Sequence, residues 1–246
     1  MRILMINPNT TVAMTDKMVS EARRIVPDGT TIVGATGRFG GQYIATRATY
    51  AIAGHAALDA YAEHGRNADV IALSCFGDPA LLALREIADK PVVGMAEAAC
   101  MEAARSGGKF AIVTGGERWK PMLEEFVTLI GLGANLAGIR TVAPTGGDIA
   151  RDPEGSLNLL ADACSAAADD YGASSVILGG AGLAGLAERI AHRVHVPLID
   201  SVHAVIRRSL EIATTASTLP RPEKVLPLEI AMTGLGADLS AILRSH

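Results

Sequence analysis

Val70-Ile71-Ala72-Leu73-Ser74-Cys75-Phe76-Gly77 is a short apolar run that ends in a turn of small residues. It returns 105 residues later as Ser175-Val176-Ile177-Leu178-Gly179-Gly180-Ala181-Gly182. Neither run alternates apolar with polar side chains. A strand apolar on both faces is buried on both, as in a parallel sheet covered by helices. Two more pairs keep nearly the same spacing. Leu4-Met5-Ile6-Asn7-Pro8-Asn9 matches Ala111-Ile112-Val113-Thr114-Gly115-Gly116 at an offset of 107, and Lys90-Pro91-Val92-Val93-Gly94 matches Val196-Pro197-Leu198-Ile199-Asp200 at 106. Buried parallel strands resemble one another by composition alone. Three strand ends in one order at one spacing go further and predict a duplicated α/β unit.

Working outward, strands are expected at 3–6, 31–34, 70–74, 92–95, 110–114, 139–143, 176–178 and 197–199. Helices are expected at 11–25, 46–63, 79–88, 97–105, 119–131, 153–170, 183–193 and 201–215, with a short one near 236–244. Asp78-Pro79 and Asp152-Pro153 each set an N-cap acid before a proline at the first helical position. The alternation gives an α/β fold of parallel sheets flanked by helices. Two pseudo-symmetric lobes follow, one from residues 1–106 with 201–246 and one from 107–200. Their strand ends, where such sheets bind ligands, face a shared cleft. Ser217 to Pro227, rich in proline and polar residues, reads as a surface loop.

Composition narrows the function. The 246 residues allow one to two domains at about 150 residues each. Lys and Arg total 22 against 26 Asp and Glu, a net charge of −4, which argues against a nucleic-acid partner. Mean hydropathy is +0.29, carried largely by Ala and Gly, and no apolar run reaches the roughly 18 residues of a membrane span. The N-terminus carries no signal-peptide pattern. Three widely spaced cysteines form no CxxC pair and no disulfide framework. A protein of a reducing, cytoplasmic compartment with a small-molecule substrate is expected.

Cys75 is the sharpest single feature. It ends a buried strand just before a predicted helix start, where backbone N–H groups and the helix dipole favour negative charge. A free thiol titrates near about 8.5, so a helix terminus can make its sulfur a usable base or nucleophile. Asp78 opposes that shift, and a free cysteine is also commonly inert core. Cys100 and Cys164 sit in Ala-rich helical stretches and read as core. Asn9 and Thr10 follow the first strand; the Asn side chain either donates to a ligand oxygen or closes a local Asx turn. Thr114-Gly115-Gly116 and Gly179 to Gly182 are turns whose N–H groups suit an anionic oxygen, or are ordinary tight turns. Asp200 reads as a cap for helix 201–215, with Glu97 as its equivalent in the first lobe. His55 reads as a core or interface residue. No His, Cys and carboxylate spacing suggests a metal. The glycines of Gly34-Ala35-Thr36-Gly37-Arg38-Phe39-Gly40 have dinucleotide-like spacing, but they follow the second strand, and the acid that should end a later strand is missing.

Ile6-Asn7-Pro8-Asn9-Thr10-Thr11, Ser74-Cys75-Phe76-Gly77-Asp78-Pro79, Val93-Gly94-Met95-Ala96-Glu97-Ala98 and Gly179-Gly180-Ala181-Gly182 together resemble the aspartate/glutamate/hydantoin racemase superfamily, nearest its hydantoin and allantoin branch. The resemblance spans roughly residues 1–215. It implies two α/β lobes with the active site between them, no cofactor, a homo-oligomer, and proton removal next to a carbonyl by a cysteine thiolate. Cys75 takes that role. Asn9, Thr10, Phe76, Gly77, Thr114, Gly115, Gly179, Gly180 and Ala181 are the implied substrate contacts, and Phe39 or Tyr43 shapes the pocket.

One departure stands out. The superfamily pattern places a second cysteine where this chain has Gly180, and the internal repeat pairs that position with Cys75. Two-base racemisation needs an acid on each face of the planar enolate. A site with one cysteine still suits decarboxylation, elimination or isomerisation, and a decarboxylase of the superfamily works with one cysteine, in the second position. A third possibility is a small-molecule binder without turnover. Gly180 is expected to leave room for a water or a bulky substituent. If the vacant face limits the chemistry, Gly180→Cys raises racemisation.

Overall fold

Each apolar run forms a strand, and each strand hands the chain to a helix before the next begins. The computed structural model describes residues 1–105, 107–215 and 232–245. In the first half, β1 (Arg2–Asn7), α1 (Val12–Ile25), β2 (Thr31–Thr36), α2 (Arg47–His64), β3 (Val70–Leu73), α3 (Leu81–Ile87), β4 (Val92–Gly94) and α4 (Met95–Ala104) follow in order. The second half repeats the scheme with β5 (Phe110–Gly115), α5 (Trp119–Leu129), β6 (Leu136–Val142), α6 (Gly146–Arg151), α7 (Pro153–Tyr171), β7 (Ser175–Leu178), α8 (Leu186–Ile190) and β8 (Leu198–Asp200). Helices α9 (Ser201–Thr215) and α10 (Ala237–Ser245) follow. Every strand pair is parallel, and the sheet orders are β2-β1-β3-β4 and β6-β5-β7-β8. Identical order in both sheets is what a duplicated unit requires. The predicted loop from Ser217 to Pro227 lies outside the described residues.

Alternate residues of each central strand serve different layers, because successive side chains point to opposite faces. Ile3 and Met5 of β1, with Phe110 and Ile112 of β5, enter one middle layer. That layer also holds Met18 of α1, Ala99 of α4, Leu123 of α5 and Val205 of α9, so helices from both halves lie between the sheets. Leu4 and Ile6 face outward onto Ala57 of α2, Leu84 of α3 and Leu239 of α10. Ala111 and Val113 face Leu160 and Cys164 of α7 and Leu186 of α8. Burying each such Ile, Leu or Val is worth about 1.5–3 kcal/mol.

Two local expectations change. Asp78 does not cap α3. It has φ 51°, the next turn runs through Ala80 at φ 63°, and α3 starts only at Leu81. Its carboxylate instead accepts the N–H groups of Ala96 (3.0 Å) and Glu97 (2.8 Å), so it caps α4 from a distance. The reason is that α4 starts directly on β4, with Gly94 at its N-cap and no side chain there to do the work. A Cβ on Gly94 would stand 2.2 Å from Asp78 Oδ2. Glu97, expected as the counterpart of Asp200, pairs with Arg85 at the helix surface instead. The second change is α6, absent from the expected elements although Thr145 and Asp148 form a reciprocal capping box. Asp152 caps α7 through Gly155 N–H (2.9 Å), and Asp200 caps α9 through Val202 N–H (2.9 Å), both as expected.

Candidate active site

Ile6 pairs with Leu73, and Val113 with Leu178, so the central strands of each sheet end level. The residues just beyond those ends form the walls of a cleft with about 440 Å³ of free volume, its open mouth included. Asn9, Cys75, Phe76, Thr114, Gly180 and Ala181 line it. Thr10, Gly77, Gly115 and Gly179, expected as substrate contacts, are not among the lining residues and sit next to them in the chain. Thr10 N–H donates to Gly41 (3.1 Å). A Cβ on Gly77 would meet Trp119 Cζ3 at 2.7 Å, one on Gly115 the Gly146 nitrogen at 2.7 Å, and one on Gly179 the Phe76 ring at 2.4 Å. The two halves therefore touch at Gly77 and Gly179, where glycine permits an aromatic ring of the other half to approach.

Cys75 is 8% exposed and makes no side-chain hydrogen bond within the described residues. Burial pushes its thiol well above the ordinary value, and the Asp78 carboxylate adds to the shift. The helix-terminus argument for a lowered value fails for a structural reason: the nearby helix starts at Leu81, and the acid between is aimed at α4. Burial raises Asp78 itself to about 7, against three backbone N–H donors that favour its charge. Burial and the Asp78 carboxylate both favour the protonated sulfur of Cys75. Cys100 and Cys164 lie in the core, away from the cleft.

Asn9 closes the local turn and also lines the cleft. Its Oδ1 accepts Thr11 N–H (2.9 Å), the local Asx turn, while Nδ2 meets only the Met14 sulfur (3.3 Å), a weak acceptor. That leaves the second Nδ2 hydrogen without a partner among the described residues, on a side chain that lines the cleft. The Thr114 hydroxyl, 5% exposed, has no partner among the described residues.

Tyr43 reaches from the β2–α2 connection into the second half. Its hydroxyl donates to Gly115 O (3.1 Å) and accepts Gly146 N–H (3.3 Å), and burial raises its pKa. Phe39 instead packs edge-on against His55, ring centres 4.8 Å apart. Gly182, part of the second glycine turn read from the sequence, lines it too, and Met14, Ile44, Ser74, Trp119, Gly146 and Leu183 complete the lining without being expected. Ser74, beside Cys75, was the one most open to notice. Leu183 follows the second glycine turn, and Met14, Ile44, Trp119 and Gly146 arrive from helices and loops remote from the expected motifs. The dinucleotide-like glycines have local explanations: a Cβ on Gly34 would strike Thr15 of α1 at 2.6 Å, and one on Gly37 the Pro8 carbonyl at 2.8 Å.

Gly180 lines the cleft in a conformation that side chains rarely adopt. Its φ is +136°, and a Cβ there would stand 3.2 Å from Leu183 Cδ1 and 3.8 Å from Thr114 Oγ1. Leu183 therefore narrows the space beside Gly180 on one side, and Thr114 borders it on another.

Comparison with known proteins places these features in context. A family model described as Asp/Glu/Hydantoin racemase matches residues 3–208. The chain is 35% identical to a hydantoin racemase of Paenarthrobacter aurescens over 211 residues, covering 84% of this chain and 89% of that protein. It is 33% identical to a hydantoin racemase of Pseudomonas sp. (strain NS671) over 208 residues, covering 84% of each. Allantoin racemase from Klebsiella pneumoniae superposes with a TM-score of 0.85 at 30% identity, covering 95% of this chain and 96% of that one.

Proposed function

Because the chain belongs to the Asp/Glu/hydantoin racemase family, we propose that it is a cofactor-independent isomerase acting at a carbon next to a carbonyl, with the Cys75 sulfur as its acid and base. The substrate class is a small hydantoin, allantoin or amino-acid-like molecule. The observation that carries this reading is Cys75 on the wall of the inter-lobe cleft, level with Asn9 and Thr114 at the ends of the central strands. As base, the thiolate takes the α-proton: the C–H bond breaks, S–H forms, and the electron pair moves onto the carbonyl oxygen. Asn9 Nδ2, the Thr114 hydroxyl and the backbone of the Gly180–Ala181 turn are the donors suited to that oxygen. Cys75 alone returns the proton to the face it left, so inversion requires that a second donor, such as a water on the Gly180 side, protonates the opposite face while the electron pair leaves the oxygen for the carbon. Ligand entry must first bring the thiol down from its raised resting value, by supplying polar contacts in place of apolar burial. Three free thiols suit a reducing, cytoplasmic setting.

A second reading has its own support. Gly180 supplies no acid, Leu183 crowds its position, and Cys75 rests protonated. Such a site suits one-sided chemistry, in which a C–C bond to a carboxylate breaks, CO₂ leaves, the electron pair enters the adjoining carbonyl, and Cys75 delivers its proton to one face. Single enantiomers of a 5-substituted hydantoin in D₂O separate the readings. A racemase incorporates deuterium at the α-carbon and loses optical rotation. A decarboxylase leaves the hydantoin untouched and releases CO₂ from an α-aryl or α-acyl malonate with one product enantiomer. Tight binding with neither outcome, unaffected by Cys75→Ser, would sink both.

A further inference from the structure

The turn closing the second half of the cleft, Gly180 to Gly185, is pinned at three points by groups outside it. Gly180 N–H donates to the Ser201 hydroxyl (3.1 Å), Gly185 N–H donates to the Asp200 carboxylate (2.8 Å), and the Lys17 ammonium donates to the Gly182 carbonyl (2.7 Å). Ser201 and Asp200 sit at the junction of β8 and α9. Lys17 comes from α1, in the other half of the molecule, one helical turn beyond the cleft residue Met14. In the first half the matched carbonyl, 105 residues earlier, is Gly77. It too receives a side-chain donor, the Tyr50 hydroxyl at 2.7 Å. The two turns are held in the same way by unlike groups: a neutral phenol beside Cys75, a cation beside Gly180.

We propose that Lys17 is a positioning residue for the α-carbon chemistry, holding the Gly180–Leu183 turn against the cleft and setting a positive charge behind the side where the substrate oxygen becomes negative. The proposal rests on the reading of the cleft given above. A charged donor binds a carbonyl more strongly than a neutral one, and a fixed cation behind a turn of N–H groups adds to its stabilisation of developing negative charge.

The charge on Lys17 is set by its neighbours from four elements. Burial lowers its pKa, with Arg189 of α8 adding to the effect, while Glu21 of α1 and Asp200 of β8 oppose it. His203 of α9 faces the same cluster, its Nε2 buried without a hydrogen-bond partner and 3.9 Å from Glu21 Oε2. Glu21 also pairs with Arg24, which reaches Glu188. The net direction is downward from 10.5, so the ammonium is lost at lower pH than on an exposed lysine.

The test compares wild type, Lys17→Arg and Lys17→Met by amide hydrogen exchange at pH 7. Losing this charged hydrogen bond should cut protection of the 180–185 amides by about tenfold or more in Lys17→Met. Protection of the 75–80 turn should hold, and Lys17→Arg should keep both. In the D₂O assay Lys17→Met should lose a similar factor in kcat/KM, Lys17→Arg should recover most of it, and the alkaline fall in wild-type activity should be absent from Lys17→Arg. Should Lys17→Met fail to fold, Lys17→Gln, which retains a neutral donor, replaces it. Unchanged protection at 180–185, equal loosening of both turns, or an alkaline fall that persists in Lys17→Arg would overturn the proposal. Absence of turnover in wild type overturns the reading of the cleft instead, and the exchange result then judges the clamp alone.

Discussion

Cys75 owes its assignment to where its chain emerges, since Cys100 and Cys164 are as reduced and as buried. All three thiols are pushed up by burial, Cys164 to about 12. Only Cys75 reaches the cleft. Cys75→Ser should therefore cut α-deuterium incorporation by about 100-fold or more, the usual weight of a positioned acid or base. Cys100→Ser and Cys164→Ser should leave the rate per folded molecule unchanged, which mass spectrometry of the product would establish. Gly180 turns an expectation around. Adding a thiol there looks like a repair on paper, but φ +136° is a conformation side chains rarely adopt, and Leu183 crowds the Cβ. Gly180→Cys should lose about 1–3 kcal/mol of stability in urea melts and gain racemisation only where the turn rearranges.

At the level of elements, the two halves solve one problem twice with different residues. A helix that follows a strand without a linker exposes its first N–H groups to a buried environment. In the second half Asp200 at the strand end supplies the cap itself; in the first half Gly94 holds that place and Asp78 reaches across. Asp78→Ala should cost about 1–2 kcal/mol by leaving the Ala96 and Glu97 donors unmet. The same acid sets a pH dependence. Its folded pKa, about 7, lies above the ordinary 3.8, so the native state keeps a proton that the unfolded chain has released between those values. That contribution to stability is full below 3.8 and lost as pH rises through 7. Urea midpoints for wild type should fall across this window, and Asp78→Asn should flatten the fall; parallel curves would refute the assignment.

Across the whole molecule, the cleft exists because two sheets are tied at their strand ends. Phe76 lies on Gly179 and Trp119 on Gly77, in both cases across the halves. Phe76→Ala should cost about 3–5 kcal/mol in a denaturant melt. Arg47, paired with Glu125 across the same divide but 62% exposed, should leave the midpoint where it is when changed to Ala. The duplicated α/β scheme was legible along the chain because buried parallel strands are written as contiguous apolar runs, and their repetition at one offset is a one-dimensional pattern. Cys75, Asn9, Thr114 and Gly180 were legible for the same reason: they stand at strand ends, and strand ends can be counted. The capping partner of Asp78, the crowding by Leu183, the resting state of the thiol and the reach of Tyr43 and Lys17 across the cleft were not. The reach of Tyr43 and Lys17 depends on which surfaces meet when one half packs on the other, and the Asp78 cap and the Leu183 contact depend on how the chain folds back within one half. Burial, close approach and hydrogen bonding between residues far apart in sequence are settled only by that packing.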